Sequence, residues 1–130
     1  MLCLVYDSLT GNVRRFVGGV QAALPDCSLD AQPVQAARPT EDFVLFTYTF
    51  GTGQIPATTA RFLEQHGGRL RGVVSSGSFH WGDNFGRAGD LIAARYGVPL
   101  IAKINKGGTE QDRETVAAWL REWEEGRAQA

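Results

Sequence analysis

The segment Leu2-Cys3-Leu4-Val5-Tyr6-Asp7-Ser8-Leu9-Thr10-Gly11-Asn12-Val13 passes from a short apolar run through a hydroxyl-bearing, glycine-containing turn into helical spacing. Val13, Phe16, Val17, Val20 and Leu24 then recur on one helical face. A brief, uniformly apolar run is read as a strand buried on both sides, and strand, tight loop and amphipathic helix in that order open a β-α-β unit.

Working outward, the same alternation repeats. After Pro25 comes a weak strand, Ser28 to Val34, then a polar connection through Arg38-Pro39 and a strongly apolar strand, Phe43 to Tyr48. Pro56 starts a helix carrying Ala60, Phe62 and Leu63, which stops at Gly67-Gly68, the usual asymmetry of proline at entry and glycine at exit. Leu70 to Ser75 reads as a fourth strand, and a loop from Ser76 to Gly86 leads to a helix marked by Ala88, Leu91, Ile92 and Tyr96. Val98 to Ile104 reads as a fifth strand. In the final helix Thr109 and Asp112 form a capping-box pattern ahead of an apolar stripe of Val116, Trp119, Leu120 and Trp123, tryptophans that suit a core better than a cofactor.

Strand-helix alternation throughout predicts one α/β domain over residues 1–130: a doubly wound, five-stranded parallel sheet of order 2-1-3-4-5 with helices on both faces. In such sheets a ligand sits beyond the carboxyl ends of the strands where their order reverses, between the first and third strands. Three loops converge there.

The first loop, Ser8-Leu9-Thr10-Gly11-Asn12-Val13, has the makings of a phosphate cradle, because helix N-terminal amides, the positive end of the helix dipole and two hydroxyls can face one anion. It lacks both the GxxxxGK[ST] spacing of a nucleoside-triphosphate loop and the GxGxxG dinucleotide fingerprint, so a monophosphate fits better. Taken alone, it could equally be a helix cap with no ligand. The second loop, Thr47-Tyr48-Thr49-Phe50-Gly51-Thr52-Gly53, combines two aromatic rings with two glycines that let backbone approach a ligand closely; a plain flexible turn is its other reading. The third, Ser76-Gly77-Ser78-Phe79-His80-Trp81-Gly82 with Asn84-Phe85 beyond, repeats that recipe. A phosphate nest with two aromatic, glycine-rich walls suits flavin mononucleotide (FMN).

Composition bounds the alternatives. A formal charge of −1 gives no basic face for nucleic acid, and no run approaches the ~18 apolar residues of a membrane span. The two cysteines, Cys3 and Cys27, form no CxxC and lie at no metal-ligand spacing, so they are expected to be buried, reduced thiols, and no metal site is expected. The apolar start lacks a basic flank and meets Asp7 too soon for a secretory leader, so a cytoplasmic protein is expected. A phosphorylated receiver domain shares the topology, but the third strand ends in Thr47-Tyr48 with no aspartate. A thiol phosphatase is disfavoured too, since Cys3 lies inside its strand rather than in the loop after it.

Three stretches, Ser8 to Phe16, Thr47 to Pro56, and Trp81-Gly82-Asp83-Asn84-Phe85 with Ala88-Gly89-Asp90, together resemble NrdI, the flavodoxin-like accessory protein of class Ib ribonucleotide reductase. The resemblance spans nearly the whole chain, and Val98-Pro99-Leu100 and Gly108-Thr109 also match. It implies a redox accessory protein rather than a stand-alone enzyme. Its reduced flavin would react with molecular oxygen and pass an oxidant, superoxide or peroxide, to the dimanganese site of the small reductase subunit, where a tyrosyl radical forms. The implied partners are that radical-bearing subunit, oxygen and an unidentified flavin reductant. Carried over by position, Ser8, Thr10, Gly11, Asn12 and Val13 would hold the phosphate, while Thr47 to Gly53 and Ser76 to Phe85 would surround the ring. The chain departs from the family at Ser78, where asparagine is frequent, at Phe79 and His80, and over Lys103-Ile104-Asn105-Lys106-Gly107, where relatives often carry an aromatic and an acidic residue. An electron-transfer flavodoxin is the alternative; such carriers usually present a strongly acidic face, which a charge of −1 does not supply.

Overall fold

β1 (Leu2–Tyr6) and β3 (Phe43–Tyr48) lie side by side inside the sheet, and their uniform apolarity follows from burial on both faces. The computed structural model describes residues 1–129; Ala130, the last residue of the expected single domain, lies outside the described residues. Around that pair the sheet is completed by β2 (Leu29–Pro33), β4 (Leu70–Gly77) and β5 (Leu100–Asn105), in the order β2-β1-β3-β4-β5 with every pairing parallel. The predicted order and strand direction are those observed.

Alternation along the strands sorts the core into two layers. Leu2, Leu4, Val44, Phe46, Val74 and Ile104 face α1 (Asn12–Ala22) and α4 (Glu110–Gln129), which contribute Val13, Phe16, Val17, Val20, Val116 and Leu120. Val5, Phe43, Leu45, Leu70 and Val73 face α2 (Ala57–His66) and α3 (Arg87–Tyr96) through Phe62, Leu63 and Ile92. Each large side chain buried this way contributes about 1.5–3 kcal/mol, so both layers press the helices onto the sheet and hold their N-termini at its carboxyl edge. Trp119 and Trp123 pack against the first layer, as their spacing predicted. The capping box at α4 is reciprocal: the Thr109 amide donates to Asp112 Oδ2 at 2.9 Å and the Asp112 amide to Thr109 Oγ1 at 3.1 Å.

The largest differences from expectation lie at β4, β5 and the third loop. β4 runs on through Ser76 and Gly77, because β5 continues to pair with it at Ile104 and Asn105. β5 begins at Leu100 rather than Val98, whose amide instead closes the end of α3 on the Ala93 carbonyl. Pro99 has no N–H for the ladder, though its carbonyl accepts from Val73. Within the third loop, Phe79–Asn84 forms short 3₁₀ turns kinked at Gly82 (φ 53°). The cysteines are free thiols but only half buried, a correction to their expected burial. Cys3 leans on the α2/α3 layer and Cys27 on the α1/α4 layer, so the sheet separates them. Among the described residues no helix is long and apolar enough to cross a membrane.

Candidate functional site

At the carboxyl edge of the sheet a cavity of about 280 Å³ opens between the three loops. Its walls come from Ser8, Leu9, Thr10, Asn12 and Val13 of the first loop, Tyr48 and Thr49 of the second, and Ser76, Gly77, Ser78 and Trp81 of the third. Lys106, beyond β5, completes the lining.

The first loop is organised by Ser8. Its Oγ accepts from the Gly11 amide at 3.1 Å and the Arg14 amide at 3.3 Å, bracketing the amides of Asn12 and Val13. Those two belong to the first turn of α1, whose amides have no intrahelical acceptor and sit at the positive end of the helix dipole. Gly11 turns the chain into the helix with φ 91°, a left-handed conformation natural to glycine. The Arg15 guanidinium folds back over this turn: it donates to Asn12 Oδ1 and passes 3.1 Å from where a Cβ on Gly11 would be.

The second and third loops are tied to each other and to the helices behind them. The Thr49 amide donates to the Ser76 carbonyl at 2.9 Å, and Thr49 Oγ1 accepts from the Ala88 amide in the first turn of α3 at 3.4 Å. Phe50 and Gln54 close a tight turn around Gly51, Thr52 and Gly53, with Gly51 at φ 57° and Gly53 at φ 130°. A Cβ on Gly53 would stand 3.3 Å from Asn84 Oδ1, so these loops touch at their far ends. Gly77 is equally constrained, since its Cβ would meet the Gly86 backbone nitrogen at 2.7 Å.

Several expected site residues lie outside the cavity wall. Thr47 turns to the other side of the sheet, where its hydroxyl bonds Thr59 Oγ1 at 2.7 Å. Phe85 packs on Phe79 with ring centroids 4.8 Å apart, and Asn84 bonds Arg87. His80 is exposed, its amide donating to Ser78 Oγ, while the Phe79 amide donates to Asn105 Oδ1 at 3.2 Å. Gly82 shapes the kink. Large apolar side chains nevertheless crowd the rim: Leu9 is 68% exposed, Phe50 54%, Phe79 69% and Trp81 47%. Leu9 and Trp81, exposed on the cavity wall itself, mark a contact surface for something else.

Two features escaped the sequence reading. Asp7, given no structural partner from the sequence, is buried and accepts hydrogen bonds from the Thr58 and Thr59 hydroxyls at the start of α2. The adjacent hydroxyl pair just after Pro56 was the available signal. Burial first, and then the Asp7 charge, push the Tyr48 phenol above its ordinary range, while a hydrogen bond with Thr58 pulls the other way. Lys106 adopts φ 55°, and only its register opposite Gly77 places it on the cavity.

The NrdI flavodoxin-like family model matches residues 4–118. This chain belongs to that family. The NrdI protein of Deinococcus radiodurans is 57% identical over 120 residues, covering 92% of this chain and 83% of that one. NrdI of Bacillus licheniformis is 40% identical over 121 residues, with 88% and 83% covered. Among solved structures, Fusobacterium nucleatum flavodoxin bound to flavin mononucleotide superposes with a TM-score of 0.72 at 15% identity, covering 96% of this chain and 97% of that one. Oxidised flavodoxin 2 of Bacillus cereus gives 0.66 at 19% identity, with 92% and 94% covered. At such identities these structures speak for the fold, and the NrdI membership rests on the family match and the NrdI relatives.

Proposed function

We propose that this NrdI-family protein binds one FMN in the cavity at the carboxyl edge and serves as the redox accessory protein of a class Ib ribonucleotide reductase. The observation that carries the reading is the pairing, in one cavity, of a Ser8-organised helix N-terminus with the aromatic side chains of Tyr48 and the exposed Trp81. A monophosphate satisfies the first and a flat tricyclic ring the second.

The residues divide accordingly. The amides of Asn12 and Val13, with the Thr10 hydroxyl, hold the phosphate; Ser8 keeps the turn in shape; Tyr48, Thr49, Ser76 and Ser78 face the middle of the ligand. Trp81 and Phe50 flank the ring, and Gly51 and Gly53 let backbone amides or carbonyls turn toward its polar edge. Bound flavin supplies electron transfer and, when reduced, reactivity toward oxygen. The open rim leaves the ring accessible, and the docked partner would be the small reductase subunit, covering Gly51 to Gln54 and Ser76 to Gly82 so that an oxidant passes without crossing bulk water. A separate reductant feeds the flavin. In this reading the chain works as one domain in the cytoplasm.

The test is a visible spectrum of the purified protein, then anaerobic reduction and re-exposure to oxygen with the manganese-loaded small subunit. Bound flavin and new tyrosyl radical support the proposal. Bound flavin without radical favours an electron carrier, and failure to bind FMN after reconstitution overturns it.

A further inference from the structure

Lys106 is the non-glycine residue with positive φ (55°) among the described residues, and it is flanked on its C-terminal side by Gly107 and Gly108. Both of its backbone groups are clamped to the end of β4: the amide donates to the Gly77 carbonyl at 2.7 Å, and the carbonyl accepts from Ser76 Oγ at 2.6 Å. The clamp imposes a left-handed conformation that glycine adopts freely and lysine does not. A strained conformation retained at a cavity points to a use for the side chain.

The surroundings say what that use is. The cavity wall that includes Lys106 carries hydroxyls, an amide and aromatic rings but no carboxylate. Lys103, the other lysine of the strand end, pairs with Asp90, whereas Lys106 is exposed and has no salt bridge among the described residues. The loop also abuts the phosphate cradle, since a Cβ on Gly107 would lie 3.7 Å from Asn12 Oδ1, the atom to which Arg15 donates.

Resting on the FMN reading above, we propose that Lys106 is a specificity-determining residue. Its ammonium, delivered from the β5–α4 loop, pairs with the flavin 5′-phosphate and supplies the lysine that the Ser8–Val13 loop lacks. Arg15, in α1, donates to the same Asn12 Oδ1 that this loop approaches, so two cations from different elements stand beside the phosphate cradle. The consequence is selectivity for FMN over riboflavin, which presents the same ring and ribityl chain without the charge.

The experiment titrates the full-length chain, freed of flavin, with FMN and separately with riboflavin, using Lys106→Gly, Lys106→Met and Lys106→Arg beside the parent. Lys106→Gly keeps the backbone conformation and removes only the side chain; Lys106→Met retains bulk without charge. The expected result is that both weaken FMN binding about tenfold, as for removal of one charge-assisted phosphate interaction, and leave riboflavin binding unchanged. Lys106→Arg should stay within about twofold for FMN, and added salt should weaken FMN binding more in the parent than in Lys106→Met. Equal losses for FMN and riboflavin, or no loss for either, would overturn the role of Lys106 while leaving the FMN site standing. A parent chain that binds neither ligand overturns the FMN reading and this inference with it.

Discussion

Thr59 Oγ1 donates a 2.7 Å hydrogen bond to Asp7 Oδ2, joining the first turn of α2 to the end of β1 in the protein interior. The same carboxylate oxygen accepts from Thr58, and the Thr47 hydroxyl donates in turn to Thr59. The network therefore links the strand that precedes the first loop, the strand that precedes the second, and the helix between them and the solvent. A buried charged acceptor with two donors is costly to break, because the donors left behind lose their partner. Asp7→Ala is expected to destabilise the fold by about 3 kcal/mol and Thr59→Val by about 1.5 kcal/mol. In urea titrations the double variant should cost less than the sum; simple additivity would show the bond contributes nothing of its own.

Tyr48 provides a pH signature of that carboxylate. Its phenol titrates above 10.0, raised first by burial and then by the Asp7 charge. The folded chain therefore keeps a proton that the unfolded chain releases, so this contribution to stability is complete below pH 10 and is lost as pH rises beyond it. Asp7→Asn should move the Tyr48 titration down toward 10 while burial keeps it above, read as an ultraviolet difference spectrum against Tyr48→Phe. An unchanged titration would mean that Asp7 does not act on Tyr48.

Gly89 and Gly18, both helical, should respond in opposite ways to alanine. A Cβ on Gly89 would lie 2.6 Å from Ser75 Cβ and 2.7 Å from Leu100 Cδ1, so α3 must move off the sheet. Gly89→Ala is expected to cost about 2 kcal/mol. Nothing lies within 4 Å of a Cβ on Gly18, so Gly18→Ala should gain about 0.5–1 kcal/mol from helix propensity alone. Thermal melts of the two variants decide it.

Lys106→Gly should melt above the parent. Relief of the left-handed conformation stabilises the chain by about 1 kcal/mol, and the exposed lysine side chain takes no core packing away with it. A lower melting midpoint would show that the lysine stem packs on the loop.

Period and punctuation made most of the fold legible. Four short apolar runs and one weak strand, four helical stripes, Pro56 at a helix entry and the Thr109/Asp112 box placed each element within a few residues, because burial on one or two faces writes itself directly into side-chain spacing. The ends of β4 and β5 were harder to place: Ser76 and Gly77 read as loop, and pairing with Tyr48 on one side and with Ile104 and Asn105 on the other makes them strand. For the site, Ser8 to Val13 was readable because a hydroxyl-rich turn entering a helix has its own local chemistry. Thr47 and Thr49 differ by two residues and share a residue type, yet one is drawn to Thr59 on α2 and the other to Ala88 on α3.

Local pattern thus carried the sheet order, the two-layer core and the three converging loops, since each follows from which residues avoid water and where the backbone can turn. Contacts between residues far apart in the chain were decided by folding alone. Asp7 meets Thr58 and Thr59 across about fifty positions, and Lys106 reaches the cavity because Gly77 and Ser76 grip its backbone from a neighbouring strand. The physical reason is that side-chain spacing records whether a residue is buried, whereas the partner it meets depends on how separate strands are aligned, a property of the assembled sheet.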